Sequence, residues 1–188
     1  MNSKELINQG LKFLKANGIK SPSLDSEIIA ADLLNISREQ LLINDPIKLS
    51  KDLVEIFNKK LLRRARREPV AYIIKKKSFW KYDFFVDQNT LVPRPETELL
   101  VENILKYNFY SKPSVLDIGV GSGCILISLV KELKSTGVGI DISNNALKVA
   151  NKNVKYFRLI DKIKLRKASL ESFKIRKFDI IVSNPPYI

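Results

Sequence analysis

Apolar residues recur at helical spacing through the first third of the chain, and each run starts at a residue that suits a helix start. The predicted starts are caps at Ser3, Ser37 and Ser50 and a helix-opening proline at Pro22. Ser37 is followed three residues later by Gln40, as in a capping box. The second helix is expected to bury Leu24, Ile28, Ala31 and Leu34. Residues 1–68 are therefore predicted to form a small helical domain that presents a surface and has no catalytic residues.

The hydrophobic period changes after this domain. Residues 69–92 contain an aromatic and β-branched stretch, 78–86, which predicts a β-hairpin or an extended linker. From Glu96 onward helices and short apolar strands alternate, which predicts an α/β domain over 93–188, with a parallel sheet and helices on both faces. The predicted helices are 96–107, 124–134 and 143–157, and the predicted strands are 114–118, 137–141, 163–166 and 178–183.

Composition excludes several kinds of site. The chain has no histidine, which removes the commonest general base and the commonest zinc ligand, so we expect no metal. Cys124 is the single cysteine and cannot form an internal disulfide, which suits a reducing compartment. No signal peptide opens the sequence, and no run approaches the roughly 18 apolar residues of a membrane span. A cytoplasmic protein is expected.

The formal net charge of +13 has two interpretations. It can attract an anionic partner such as nucleic acid, or it can reflect lysines spread over solvated surfaces. The densest cluster is Arg63, Arg64, Arg66 and Arg67. Because the charges are scattered and few aromatic residues lie among them, the second interpretation is favoured.

A glycine-rich turn follows the first predicted strand of the α/β domain, running from Asp117 to Gly123. Glycines let the backbone turn sharply and approach a ligand at a helix start. A dinucleotide fingerprint would need its third glycine at position 124, which is Cys124. The Asp-x-Gly-x-Gly-x-Gly form instead resembles the nucleoside loop of class I methyltransferases. The alternative is a purely structural turn.

Two further features lie at predicted strand ends, where sheet ligands bind. Asp141 can accept hydrogen bonds from ribose hydroxyls, unless it caps the next helix, for which Ser143 is the better candidate. After the last strand, the Asn184 side-chain oxygen and the Pro185 carbonyl offer two acceptors to a planar NH2 group, and Tyr187 offers a flat face. The alternative for this segment is a rigid turn.

Three motifs together carry a family resemblance: Val92 to Glu98 (VPRPETE), Asp117 to Gly123 (DIGVGSG) and Asn184 to Tyr187 (NPPY). In this order and with these gaps they resemble the protein glutamine N5-methyltransferases of the HemK/PrmC type, over nearly the whole chain. The resemblance implies a Rossmann-like class I methyltransferase domain behind a helical substrate-recognition domain and a β-hairpin. It also implies S-adenosyl-L-methionine as cofactor and, as substrate, the glutamine of the Gly-Gly-Gln tripeptide in class 1 release factors.

The resemblance assigns roles residue by residue. Cofactor contacts fall on Asp117, Gly119, Val120, Gly121, Ser122, Gly123, Asp141, Ser169 and Asn184. Substrate contacts fall on Arg94, Asn184, Pro185, Pro186 and Tyr187, of which Asn184, Pro185 and Tyr187 are the catalytic candidates. Ser169 lies in the stretch Ala168–Leu170, which lacks the acidic or aromatic residue that the family usually places against adenine.

The second departure from the family concerns the sheet. Class I methyltransferases normally have seven strands, and four are predicted here, so we expect a truncated gene or a fragment whose last strand is an unprotected edge. With no histidine available as base, catalysis is expected to rest on positioning the amide. Two alternatives stay open: an amino-methyltransferase acting on adenine in DNA or RNA, and an inactive remnant that binds without turnover.

Overall fold

The computed structural model describes residues 1–109, 111–174 and 177–185. The chain divides into two compact units, Met1–Ile74 and Lys75–Ile188. The helical unit thus extends past the predicted boundary at residue 68, because a short additional helix lies within the segment that was predicted to be hairpin or linker.

The first unit is a helical bundle with a buried apolar core. Its helices are α1 (Ser3–Ala16), α2 (Pro22–Leu34), α3 (Arg38–Ile43), α4 (Lys51–Ala65) and α5 (Val70–Ile74). Close approach of α1 and α2 depends on Gly10, since a Cβ there would lie 2.3 Å from Ser26 Oγ and 2.9 Å from the Phe57 ring. Ser26 is fully buried and donates to the Ile7 carbonyl at 2.9 Å, so it has little room to move.

The predicted caps agree with the structure at two of three positions. Ser37 forms the capping box with Gln40, and Ser50 caps α4. The cap of α1 is Asn2, not Ser3. Ser3 is instead the first helical residue, and its buried hydroxyl accepts a hydrogen bond from the Ile47 amide at 3.0 Å.

The buried face predicted for α2 agrees with the structure only in part: Ala31 is buried, and Ile28 and Leu34 are half-buried. Leu24 is 43% exposed, whereas Asp25, Ser26 and Glu27 are buried. These polar residues have partners from elsewhere in the unit: Arg64 donates to Asp25 at 2.7 Å, and Arg38 donates to Glu27 at 2.7 Å. A prediction from hydrophobicity assumes that polar residues face solvent. It therefore identifies the wrong buried face for a helix whose buried polar residues have charged or hydrogen-bonding partners.

The same contacts account for most of the arginine cluster. Besides Arg64, Arg63 donates to Glu68 at 2.8 Å and Arg67 donates to the Gly18 carbonyl at 2.7 Å. Three of the four arginines therefore serve the bundle itself, which supports the structural interpretation of this cluster.

The second unit opens with a hairpin and continues as a parallel sheet. The hairpin strands are β1 (Lys76–Phe79) and β2 (Tyr82–Phe85), which pair antiparallel. A 3₁₀ turn, Pro95–Thr97, leads into α6 (Glu98–Leu105). The remaining elements are β3 (Ser114–Ile118), α7 (Cys124–Glu132), β4 (Thr136–Asp141), α8 (Asn144–Tyr156), β5 (Ile163–Lys167) and β6 (Ile180–Ser183). The predicted hairpin and Rossmann-like alternation are confirmed.

The strand order β5-β4-β3-β6 determines which face each connection covers. From β3 through β4 to β5 the chain moves in one direction, and right-handed crossovers then place α7 and α8 on the same face. Both helices share one apolar core with that face, which includes Val115, Ile163 and Ile180. From β5 to β6 the chain reverses direction, so a right-handed connection lies over the second face. In its described part, 168–174 and 177–179, this connection contains no helix, although helices were expected on both faces.

Candidate active site

The glycine turn between β3 and α7 is fastened to the carboxyl end of β4. The amides of Gly119 and Val120 both donate to the Ile140 carbonyl at 2.9 Å, and the Gly121 amide donates to Asp141 Oδ2 at 3.0 Å. Gly119, Gly121 and Gly123 have φ values of +76°, +53° and +82°, a region that residues with a Cβ rarely adopt. The turn thus requires glycine at these positions for conformational reasons alone.

The loop residues divide into two groups by what surrounds them. A Cβ on Gly119 would meet nothing within 4 Å, and one on Gly121 would meet only the Gly119 carbonyl at 3.8 Å. On Gly123 it would lie 3.2 Å from Ile127 in α7, and Val120 and Ser122 are buried. Gly119 and Gly121 therefore leave open space where a ligand fits, whereas the other three hold the loop in place.

Asp141 links β4, the glycine turn and α8. Besides Gly121, its carboxylate accepts from the Ser143 amide through Oδ1 at 2.9 Å. Ser143 caps α8 as predicted, accepting from the Ala146 amide at 3.2 Å. We expected this arrangement to leave Asp141 unengaged, but both of its oxygens already accept backbone hydrogen bonds. Each oxygen retains capacity for a second, and the side chain is half-buried, so ribose hydroxyls can still be bound.

Asn153 on α8 holds the glycine turn through a side-chain hydrogen bond, a role that the sequence did not reveal. It is buried, and its Nδ2 donates to the Ser122 carbonyl at 2.8 Å. The same side chain accepts from the Phe85 amide at 2.8 Å and donates to the Phe85 carbonyl at 2.9 Å. It therefore connects the hairpin to the glycine turn. The available signal was an amide residue on the apolar face of α8, between Ala150 and Val154.

Asp117 is a buried carboxylate with no hydrogen-bond partner for either oxygen among the described residues. Burial raises its pKa to about 7, and the charge of Asp141 adds to this shift. The backbone amide of Leu126, which faces the carboxylate outside normal hydrogen-bond geometry, partly opposes it. Burial likewise raises the pKa of Cys124 to about 12, so this thiol stays protonated and is not a nucleophile.

These features fit S-adenosyl-L-methionine, the predicted cofactor. It carries ribose hydroxyls and a positively charged sulfonium centre. The backbone at Gly119 and Gly121 is open, Asp141 can accept further hydrogen bonds, and Asp117 is a carboxylate without a partner. Ser169 fits less well, because its hydroxyl and amide are both engaged with Ser172 in a tight turn.

Asn184 lies beside the glycine turn because β6 pairs with β3. Ser183 is in register with Ile118, the residue before Gly119, and its hydroxyl donates to the Ile118 carbonyl at 3.0 Å. The next side chain, Asn184, donates through Nδ2 to Thr97 Oγ1 at 3.2 Å. This contact leaves Asn184 Oδ1 as an available acceptor, and it identifies Thr97 as a supporting residue that sequence reasoning had passed over.

A cleft of about 320 Å³ surrounds this corner, lined by Arg94, Glu96, Thr97, Leu100, Ser183 and Asn184. The predicted substrate residues Arg94 and Asn184 are thus brought together. Pro185, the residue after Asn184, is exposed. Pro186 and Tyr187, the other two predicted contacts, lie outside the described residues.

The described residues contain neither a candidate metal site nor a candidate membrane span. No group of three or more cysteine, aspartate or glutamate side chains is arranged to hold a metal ion. None of the described helices has both the length and the apolar character needed to cross a membrane.

Known families match both units. The PrmC N-terminal domain family matches residues 5–74, and the Methyltransferase small domain family matches residues 95–188. The release factor glutamine methyltransferase of Leptospira interrogans is 40% identical over 97% of the chain, which spans 66% of that enzyme. The enzyme of the same name from Caulobacter vibrioides is 39% identical over 93% of the chain, which spans 62% of it. The Buchnera aphidicola enzyme of the same name, from strain Sg, is 37% identical over all of the chain, which spans 68% of it.

Among solved structures, the chain is similar to an RNA methyltransferase from Salinibacter ruber in complex with S-adenosyl-L-homocysteine. That structure is 27% identical, with a TM-score of 0.43, over 49% of this chain and 60% of the other.

Proposed function

Because the chain belongs to the release factor glutamine methyltransferase family, we propose that it serves methyl transfer from S-adenosyl-L-methionine to a glutamine side-chain amide in a peptide chain release factor. The product would act in translation termination. The chain spans about two thirds of the relatives' length, so the activity, substrate and partner of the whole protein are part of this proposal.

The observation that carries the proposal is the orientation of Asn184. Its Nδ2 is used by Thr97, so the group it offers to the cleft is the Oδ1 acceptor. A primary amide has two N–H donors, and a second acceptor is available from the Pro185 carbonyl, which is followed by a proline and lies at the exposed end of the described chain. Two acceptors side by side are complementary to an NH2 group.

Positioning is the form of catalysis that these residues support. An amide nitrogen is a weak nucleophile, because its lone pair is delocalised into the carbonyl. The two acceptors hold the amide hydrogens, and their dipoles stabilise positive charge that develops on the nitrogen during the reaction. The amide proton then leaves to water. S-adenosyl-L-methionine supplies an electrophilic methyl group when bound. Holding the nitrogen in line with that methyl accounts for most of the expected rate gain.

The competing substrate is the amino group of adenine in DNA or RNA, which is also a planar NH2. The family and the names of the relatives support the protein substrate over this alternative. The helical unit, which matches the PrmC N-terminal domain family, supports it as well, and we propose that this unit recognises the substrate.

Transfer of tritium from labelled S-adenosyl-L-methionine tests the substrate directly. Label should enter a class 1 release factor and should be lost when the glutamine of its Gly-Gly-Gln tripeptide is replaced. Label appearing in DNA or RNA instead would favour the adenine alternative.

Two variants separate cofactor binding from amide binding. Gly121→Arg should abolish cofactor binding in calorimetry, because the side chain would occupy the open space and the backbone has φ +53°. Asn184→Ala should retain cofactor binding and lower methyl transfer about 100-fold or more, a loss typical of one preorganised electrostatic contact. Retained cofactor binding by Gly121→Arg would place the cofactor elsewhere.

A further inference from the structure

A second cleft lies on the face of the sheet opposite α7 and α8. It has a volume of about 340 Å³ and is lined in part by Ser114 and Thr136, the first residues of β3 and β4. The glycine turn and Asn184 follow the carboxyl ends of the strands, so this cleft is separate from the candidate active site. We call it the amino-end groove.

The walls of the amino-end groove are strongly basic. Five cationic side chains line it, with Asp161 as the single acidic lining residue: Lys162, Lys164, Arg166, Lys174 and Lys177. All five are exposed, and none forms an ion pair with a carboxylate in the described part of the chain. This contrasts with the arginine cluster of the helical unit, most of which is engaged in internal contacts. The groove is therefore a concentration of charge that the fold itself does not use.

Two aromatic rings lie among these cations. Phe173 and Phe178, both half-buried, come from the connection between β5 and β6 that crosses the second face. The sequence showed few aromatic residues among the charges because the groove is assembled from separate segments. The fold places 162–166 beside the described residues 173–174 and 177–178, so that cations and rings share one surface.

Protection of an edge strand does not explain the whole groove. Charged side chains on the edge strand β5 would discourage pairing with the edge of another sheet, which accounts for Lys164 and Arg166. It does not account for Lys174 and Lys177, which belong to a different segment, or for aromatic rings left partly exposed. A cationic groove containing aromatic rings is the combination that binds single-stranded nucleic acid, since cations contact phosphates and rings stack on bases.

We infer that the amino-end groove binds single-stranded nucleic acid through its five cations and the rings of Phe173 and Phe178. The binding is to the phosphate backbone and base faces, without sequence readout. It is independent of the methyl transfer proposed above, because it uses the other end of the sheet.

Fluorescence anisotropy with a labelled ten-nucleotide oligouridylate tests the inference. Contact with five phosphates predicts an affinity loss on the order of 100-fold between 50 mM and 200 mM salt, from a slope of about −0.7 per phosphate. Lys162→Gln/Lys164→Gln/Arg166→Gln should reduce this loss to less than about 10-fold and should weaken binding at 50 mM salt.

The matched control removes the same charge from exposed, unpaired lysines of the helical unit, as Lys12→Gln/Lys20→Gln/Lys51→Gln. It should leave affinity within about twofold. Phe173→Leu should weaken binding at least about fivefold at both salt concentrations, because stacking is not screened by salt.

Three outcomes would overturn the inference. The first is that the unaltered chain does not bind the oligonucleotide at 50 mM salt. The second is that the groove variant and its control weaken binding equally. The third is that polyglutamate displaces the oligonucleotide as effectively as unlabelled oligouridylate does. The last result would assign the groove to an acidic protein segment.

Discussion

Asp117 makes the stability of the α/β unit depend on pH in a direction opposite to that of most carboxylates. Burial raises its pKa from 3.8 to about 7. Between these values the folded protein binds a proton that the unfolded chain has lost, so stability falls as pH rises. The fall begins above the unfolded pKa, continues through pH 7 and then levels off.

The size of the effect follows from the shift. A difference of about three pKa units corresponds to roughly 4 kcal/mol at high pH, of which about 3 kcal/mol is lost between pH 4.5 and pH 8. Net domain stability is about 5–15 kcal/mol, so this loss is readily measured. The asparagine in Asp117→Asn carries no charge at any pH, so this variant should lack the pH-dependent loss of stability that Asp117 causes. Its free energy of unfolding should therefore exceed that of the unaltered protein by a margin that grows as pH rises.

Urea unfolding followed by tryptophan fluorescence provides the assay. The chain has a single tryptophan, Trp80, which packs against the core of the same unit as Asp117, so the signal reports that unit. Asp179→Asn is the matched control, because hydrogen bonds from Ser114 lower the pKa of Asp179 and its contribution is instead lost as pH falls. If Asp117→Asn and the unaltered protein had parallel stability profiles from pH 4.5 to pH 8, the assignment of a raised pKa to Asp117 would be refuted.

Two further variants test long-range contacts. Thr97→Val removes the hydrogen bond to Asn184 and should lower the kcat of the proposed methyl transfer about tenfold, with cofactor affinity unchanged. Thr97→Ser keeps the hydroxyl and should retain the original kcat. Equal kcat values for the valine and serine variants in steady-state kinetics would contradict this role of Thr97. Arg64→Met leaves Asp25 buried without its cation and should cost about 3 kcal/mol in urea unfolding followed by circular dichroism. Lys59→Met, at an exposed pair, should cost less than about 1 kcal/mol; equal losses would count against the buried-pair argument.

The α/β unit was the more predictable part of the fold because its signals are local. Buried strands are short apolar runs, and the turn from β3 to α7 is fixed by glycines whose φ values no other residue adopts easily. Strand β3 was predicted over the same residues as it has in the structure, and β4 and β5 differ by one residue at an end.

What the sequence could not reveal depends on partners that are distant along the chain. Asp25 and Arg64 meet across 39 residues, and Asn184 and Thr97 across 87. The immediate neighbours of a residue do not identify such a distant partner, so pattern reasoning assigns a buried aspartate to the surface. The same limit hid the supporting roles of Thr97 and Asn153, while the family resemblance pointed to Asn184 without indicating what holds it.

The geometry proposed for amide binding rests on the register between β3 and β6. Ile180 and Val182 point into the core shared with α7 and are buried, whereas Ile181 between them is 54% exposed. A slip of one residue would expose both buried side chains and bury the exposed one, and it would move Asn184 by about 3.3 Å along the strand. Such a shift exceeds the tolerance of a hydrogen bond to Thr97, so the orientation of Asn184 would be lost with it. The apolar residues that precede Asn184 therefore determine the position of its amide as firmly as the hydrogen bond that orients it.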